Sequence, residues 1–171
     1  MILPGGSGIP QWYQPVPPEF AGRVRSRCTT VGVPVVLADV VFGVLVVVLR
    51  DVPSTSYHLF HTGAVGAGVL SAFFSSLVGF TLAGSRSYAR GDRLNMTGLG
   101  IARRTSLAMW VFSVVCTAIG WSITFMTLLR PARAPTLGGG VVAYAALLAA
   151  PPLVGLVAVA VTRSLAPRSS R

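Results

Sequence analysis

The chain has few side chains that could take part in acid–base chemistry, and one of them lies in an unusual place. Its four acidic residues are Glu19, Asp39, Asp51 and Asp92. Asp39 is the midpoint of an apolar stretch, residues 29–49, which is long enough to cross a bilayer. An aspartate at the centre of a spanning helix costs about 2.5–3.5 kcal/mol, so it must face protein or water. We expect either a protonated Asp that fixes helix packing or a residue that handles a proton, an ion or a substrate.

Small residues surround Asp39 on its own helix and cover one face of the second apolar stretch. Gly32, Val36 and Gly43 share the helical face of Asp39, which would let another helix approach closely. The second stretch has Ala64, Gly68, Ala72 and Ser76 on one stripe and Ser75, Gly79 and Ala83 on the adjacent one. This pattern predicts close backbone packing, with the neighbour being either a helix of the same chain or a second subunit. We predict a homo-oligomer or a partner membrane protein bound through this face.

A polar stripe follows the third apolar stretch. Its members recur every three or four residues and are Ser113, Thr117, Gly120, Thr124 and Thr127. Such hydroxyls usually bond to their own helix, and the alternative is that they line a polar site facing Asp39. Trp121 lies beside the stripe, deeper than an interfacial belt residue. We assign substrate or proton handling to Asp39, Thr117 and Trp121.

The fourth apolar stretch has a proline pair, Pro151 and Pro152, at its centre. Proline lacks an amide donor, so the pair frees the carbonyls of Leu147 and Leu148, which within lipid must find a partner or line a cavity. We predict a helix break here, which is either a kink that serves packing or a functional break. The midpoints of the four stretches are Asp39, Phe73, Thr117 and Pro151, and they should lie near one plane. The resulting hypothesis is a midplane site in which Asp39 faces Thr117 beside the break, with Phe73 as apolar bulk.

Other reactive residues do not form a recognisable site. His58 and His61 are the only histidines and share one helix face, without the further ligands that a metal needs. Cys28 and Cys116 are expected at different depths, too far apart for a disulfide. No nucleophile–base pair, phosphate loop or zinc cluster occurs. The sequence therefore predicts no enzymatic activity, no metal and no cofactor.

Four helices would position these residues. The chain is 53% hydrophobic and 11% charged, whereas a soluble domain is roughly 25% charged. We predict an all-α membrane protein with four transmembrane helices in two hairpins and a transmembrane domain over 29–162. The flanking segments are a flexible Pro/Gly-rich tail, 1–28, and a basic tail, 163–171. The spans are predicted at about 29–49, 63–83, 105–129 and 141–161.

The arginines predict how the helices are oriented. All fourteen basic residues are arginine. Most precede the first span, fill the loop between spans two and three, or follow the fourth span, and only Arg50, Arg130 and Arg133 lie on the other side. The positive-inside rule therefore places both termini and the central loop in the cytoplasm, including the Asn95-Met96-Thr97 sequon. The net charge of +10 then reflects membrane anchoring, and we expect no nucleic-acid partner.

One short run resembles a known family. Arg27, Gly32 and Asp39 form an arginine–x4–glycine–x6–aspartate pattern at the entrance to the first span. It resembles the opening of the GtrA-like family, small four-span bacterial proteins associated with moving polyprenyl-phosphate-linked sugars across the membrane. The ends of spans two and four differ from that family because they lack its asparagine.

The resemblance implies a function in glycan or cell-wall assembly. We expect a translocation protein, or an accessory subunit, for a polyprenyl-phosphate-linked sugar in the bacterial plasma membrane. Guanidinium groups bind phosphate bidentately, so contact with the phosphate or an anionic headgroup is assigned to Arg27, Arg86, Arg103 and Arg104. Two alternatives stay open: a small proton-coupled transporter that uses Asp39, and a structural or assembly subunit of a larger membrane or viral envelope complex.

Overall fold

Four long helices make up most of the protein. The computed structural model describes residues 13–48, 61–128 and 139–165. The helices are α1 (Pro18–Val48), α2 (His61–Gly84), α3 (Met96–Leu128) and α4 (Gly139–Ser164). All four are long and apolar enough to cross a membrane, which confirms the prediction of an all-α, multi-pass membrane protein. Residues 1–12, 49–60, 129–138 and 166–171 lie outside the described residues.

Two helices extend well beyond the predicted spans at the same end of the bundle. We expected 1–28 to be a tail without a helix, but α1 begins at Pro18. Proline is tolerated in the first turn, where its missing amide has no partner, and Glu19 suits the positive end of the helix dipole. Helix α3 begins at Met96, nine residues before its predicted span, and the Asn95 side chain caps it by accepting a bond from Gly98 N at 2.8 Å.

The central loop contains secondary structure for which we had made no prediction. A 3₁₀ turn over Ser85–Tyr88 leads into a small antiparallel sheet of β1 (Tyr13–Pro15), β2 (Ala89–Arg90) and β3 (Arg93–Asn95), in the order β1-β3-β2. Gly91 and Asp92 form the turn between β2 and β3, and Gly91 has a φ of 58°. A Gly-Asp pair is a known hairpin signal. The sheet ties the segment before α1 to the α2–α3 connection.

Helix α2 is the centre of the bundle. It packs against α1, α3 and α4, whereas the main contacts of α1 and of α3 are with α2 and α4. More than half of the apolar window of α2 is buried, 56%, compared with 17% for α3. Helices α1 and α3 therefore lie on opposite sides of the α2–α4 pair and turn broad apolar faces outward.

Small residues set the distance between α1 and α2. A Cβ atom on Gly32 would lie 2.7 Å from Ala83 N, and one on Gly79 would lie 2.8 Å from Val36 Cγ2. At the other end, Gly68 faces Val46 of α1 and Leu148 of α4. The predicted close packing is confirmed. The face is filled by helices of the same chain, the first of our two alternatives, so an oligomer would need another surface and stays a prediction.

Candidate functional site

Asp39 lies in the interior of the bundle. It is 1% exposed, and neither of its carboxyl oxygens makes a hydrogen bond within normal geometric limits. The Ser75 hydroxyl on α2 is close enough to interact with the carboxyl group. Asp39 is thus turned away from lipid, as its insertion cost requires, but without the hydrogen bonds that usually accompany a buried polar group.

Ser75 connects Asp39 to the proline pair of α4. Its hydroxyl donates to Pro151 O at 2.7 Å. Gly155 makes this approach possible, because a Cβ atom there would lie 2.7 Å from Ser75 Oγ. Asp39, Ser75 and the Pro151 carbonyl, which we call the Asp39 group, therefore join α1, α2 and α4.

A second polar cluster joins α2, α3 and α4 next to the first. Ser71 Oγ lies 2.9 Å from Ser113 Oγ and 2.8 Å from Thr117 Oγ1. Ser113 Oγ donates to Ser71 O at 2.9 Å. Thr117 Oγ1 donates to Leu148 O at 3.0 Å. We call Ser71, Ser113, Thr117 and the Leu148 carbonyl the serine–threonine network.

The proline pair does not interrupt α4, which corrects the predicted helix break. Pro151 and Pro152 both lie inside one continuous helix. The Leu148 carbonyl, freed because Pro152 has no amide hydrogen, is satisfied by Thr117 on α3. Trp110 Nε1 also donates to Pro152 O at 2.8 Å. One of the two freed carbonyls is thus satisfied by a side chain of a neighbouring helix, and Trp110 adds a further bond to the backbone of the proline pair.

Asp39 and Thr117 do not meet, contrary to the midplane hypothesis. They belong to helices on opposite sides of the α2–α4 pair, and Ser75 occupies the position beside Asp39 that we expected for the third-span stripe. We had counted Ser75 only as a packing residue. The pairing of the two helices could have indicated Ser75. Helices α1 and α2 are antiparallel and bring Gly32 against Ala83 and Gly43 against Ala72. In this register, residue 75 or 76 lies opposite Asp39.

Two aromatic residues lie outside the predicted site. Phe73 is 53% exposed and supplies no apolar bulk beside Asp39, and Trp121 is 49% exposed. Trp121 lines a groove on the outer surface of α3 with Ser122, Phe125 and Met126. Only a narrow stripe of α3 is covered by α2 and α4, and the half-exposed Trp121 lies beside that stripe. Thr124 bonds to Gly120 O of its own helix, and the Thr127 side chain lies outside the described residues.

The arginines predicted to contact phosphate separate into two sets. Arg27 lines a pocket of about 50 Å³ between the start of α1 and the end of α4, together with Phe20, Arg23, Val24, Ser164 and Leu165. Arg23 lies over the Phe20 ring, 5.9 Å from its centroid. We call this the arginine pocket. Arg86, Arg103 and Arg104 are exposed and do not line it.

The remaining reactive residues are dispersed. Within residues 13–48, 61–128 and 139–165, no three His, Cys, Asp or Glu side chains come together as metal ligands would. Cys28 is buried and Cys116 half-buried, and both are free thiols. His58 and the side chain of His61 lie outside the described residues.

Comparison with known proteins does not assign this arrangement to a family. No protein-family model matches the chain, and neither a curated protein nor a solved structure shows significant similarity to it.

Proposed function

We propose that this protein binds the phosphate group of a membrane lipid in the arginine pocket and moves that lipid across the bilayer, or assists a partner that does. The resemblance at Arg27, Gly32 and Asp39 suggests the substrate class, a polyprenyl-phosphate-linked sugar used in glycan or cell-wall assembly at the bacterial plasma membrane. The observation that carries the proposal is the arginine pocket.

The pocket combines the chemistry that a lipid phosphate requires. Arg23 and Arg27 offer guanidinium donors, and Ser164 adds a hydroxyl. Phe20, Val24 and Leu165 provide apolar surface beside them, where the first carbons of a lipid chain could rest. The space suits a phosphate group rather than a whole sugar, so the sugar would project into water.

The described part of the chain does not neutralise the two arginines of the pocket. Arg23 and Arg27 are four residues apart on one face of α1, where like charges repel. Neither forms an ion pair with any residue in the described part of the chain. The cation–π contact with Phe20 orients Arg23 but adds no negative charge. A bound phosphate would remove the repulsion and accept bonds from both side chains.

The test is lipid binding and lipid movement by the purified protein in vesicles. A fluorescent polyprenyl-phosphate sugar serves as the probe, with the matching neutral polyprenol as the comparison lipid. Binding is measured by native mass spectrometry, and movement by bleaching of the outer leaflet. We expect the Arg23→Gln/Arg27→Gln double variant to bind the phosphate lipid at least about tenfold more weakly, because two charge-assisted hydrogen bonds are lost.

Arg25→Gln is the matched control. Arg25 lies between the two pocket arginines on the same helix and is exposed, but it does not line the pocket. This variant should bind like the wild type. Equal losses of phosphate-lipid binding in the control and the double variant would mean that general surface charge explains the binding. Equal binding of polyprenol and polyprenyl phosphate would refute the proposal. Binding without movement would assign the chain to the accessory role.

A further inference from the structure

The serine hydroxyls of α2 beside Asp39 donate their hydrogen atoms to other acceptors. Ser75 has one hydroxyl hydrogen, and it is donated to Pro151 O. Ser76, the next residue on α2, donates its hydrogen to Phe73 O of its own helix. Toward Asp39, Ser75 Oγ therefore presents only lone pairs. A carboxylate also has only lone pairs, so the two oxygens would repel each other unless a proton lies between them.

Within the described residues, no charged side chain at this level could stabilise a carboxylate. Among the described residues, the nearest titratable or charged groups on the surrounding helices are distant along those helices. They are Cys28 on α1, Cys116 on α3, and Tyr144 and Arg163 on α4, and α2 has none over residues 63–84. Those on α1 and α4 are about two or more helical turns from Asp39 and Pro151 respectively. A buried charge without a partner is much more costly than the neutral acid.

We infer that Asp39 is a proton-binding site, in which the neutral carboxyl group donates to Ser75 Oγ and thereby closes a hydrogen-bonded chain from α1 through α2 to the Pro151 carbonyl of α4. When the proton passes to water, the carboxylate that remains draws the Ser75 hydroxyl hydrogen away from Pro151 O, and α4 loosens at its proline pair. The neutral form is the one that packs, so raising the pH opens this contact and lowering it does not.

Proline makes α4 the helix that responds. Within α4, Pro151 and Pro152 remove two backbone hydrogen bonds. The local conformation of the helix therefore depends more strongly on the bonds that it accepts from Ser75, Thr117 and Trp110. Disturbing Ser75 therefore acts where the helix bends most easily. This inference concerns the bundle interior and does not depend on the proposed phosphate lipid.

Infrared spectroscopy detects the protonation state of Asp39 directly, because a neutral carboxyl group absorbs at higher frequency than a carboxylate. The full-length chain has only four acids, and Glu19 and Asp92 are exposed. In nanodiscs at pH 7, we expect a neutral carboxyl band that disappears in Asp39→Asn and persists in Asp92→Asn, the exposed control. Ser75→Ala should shift the band without removing it. A wild-type protein without the band, or a band that survives in Asp39→Asn, would overturn the inference.

The fluorescence of Trp110 tests the second half of the inference, the loosening of α4, because Trp110 bonds to the Pro152 carbonyl. In a Trp12→Phe/Trp121→Phe background it is the only tryptophan left. Its emission should change with pH over the same interval in which the carboxyl band is lost, and it should stay constant when Asp39→Asn is added. Loss of the band without any change in emission would refute the coupling to α4.

The wild-type pH titration needs no variant, so the inference stays testable even if Asp39→Asn does not fold. Lipid binding distinguishes it from the proposed function. Failure of the phosphate-lipid assay would leave the carboxyl band untouched, and absence of the band would leave phosphate binding by Arg23 and Arg27 untouched.

Discussion

At the scale of single residues, polar side chains in this bundle complete the backbone of a neighbouring helix. Thr117 is the best example, because its hydroxyl bonds to the Leu148 carbonyl that Pro152 leaves without a partner. Ser71 approaches the same hydroxyl from α2 at 2.8 Å. In lipid no water can replace such bonds, so removing a hydroxyl leaves a carbonyl unsatisfied.

Replacing Thr117 by valine tests this role. Thr117→Val keeps the shape but removes the bonds to Leu148 O and Ser71 Oγ, so we expect a loss of about 1–2 kcal/mol in the free energy of unfolding. The measurement is SDS-induced unfolding in mixed micelles. Ser122→Ala is the control, because Ser122 is exposed and bonds only to Ala118 O of its own helix. Equal stabilities of the two variants would contradict the assignment.

At the scale of elements, the contact between α1 and α2 depends on the absence of side chains. Leucine-rich faces gain little by pairing in lipid, so tight association requires small residues and close backbones. Gly32 and Gly79 supply this near the arginine-rich end, and Gly43 against Ala72 continues it toward the other end. Asp39 lies between these contacts, so this interface determines how closely Ser75 approaches the carboxyl group.

Two glycine-to-alanine substitutions on α1 should have opposite effects. In Gly32→Ala the new Cβ would lie 2.7 Å from Ala83 N and 2.9 Å from Gly79 O, which are backbone atoms that cannot rotate away. We expect a destabilisation of about 1–3 kcal/mol. Gly22→Ala meets nothing within 4 Å and should stabilise by up to about 1 kcal/mol through helix propensity. Unfolding in mixed micelles measures both, and a tolerated Gly32→Ala would rule out the close approach.

At the scale of the whole molecule, the structure places the start of α1, the α2–α3 connection and the end of α4 at one end of the bundle. The sheet joins β1 to β3, and the arginine pocket joins α1 to α4. Every described arginine therefore belongs to this end or to the first turns that extend from it, and the sequence assigns only Arg50, Arg130 and Arg133 to the other end. The positive-inside rule then predicts that this end is cytoplasmic.

A single cysteine tests the orientation. Asp92 is 69% exposed in the hairpin turn, and Asp92→Cys in a Cys28→Ser/Cys116→Ser background gives one accessible thiol. An impermeant maleimide should label it only after the cells are permeabilised, because the positive-inside rule predicts a cytoplasmic hairpin. Labelling of intact cells would reverse the orientation and place the arginine pocket on the outer face.

The sequence alone was sufficient for the four spans, the inward position of Asp39 and the loss of the backbone bond to the Leu148 carbonyl. These follow from hydropathy, insertion cost and the missing amide of proline, which depend on local sequence and not on the arrangement of helices. The sequence did not identify the residue that lies beside Asp39. The predicted depths in the bilayer place Asp39, Thr117 and Pro151 at one level, but they do not decide which helices are neighbours. Only the tertiary structure shows that α2 separates α1 from α3, so that Ser75, rather than Thr117, lies beside the carboxyl group.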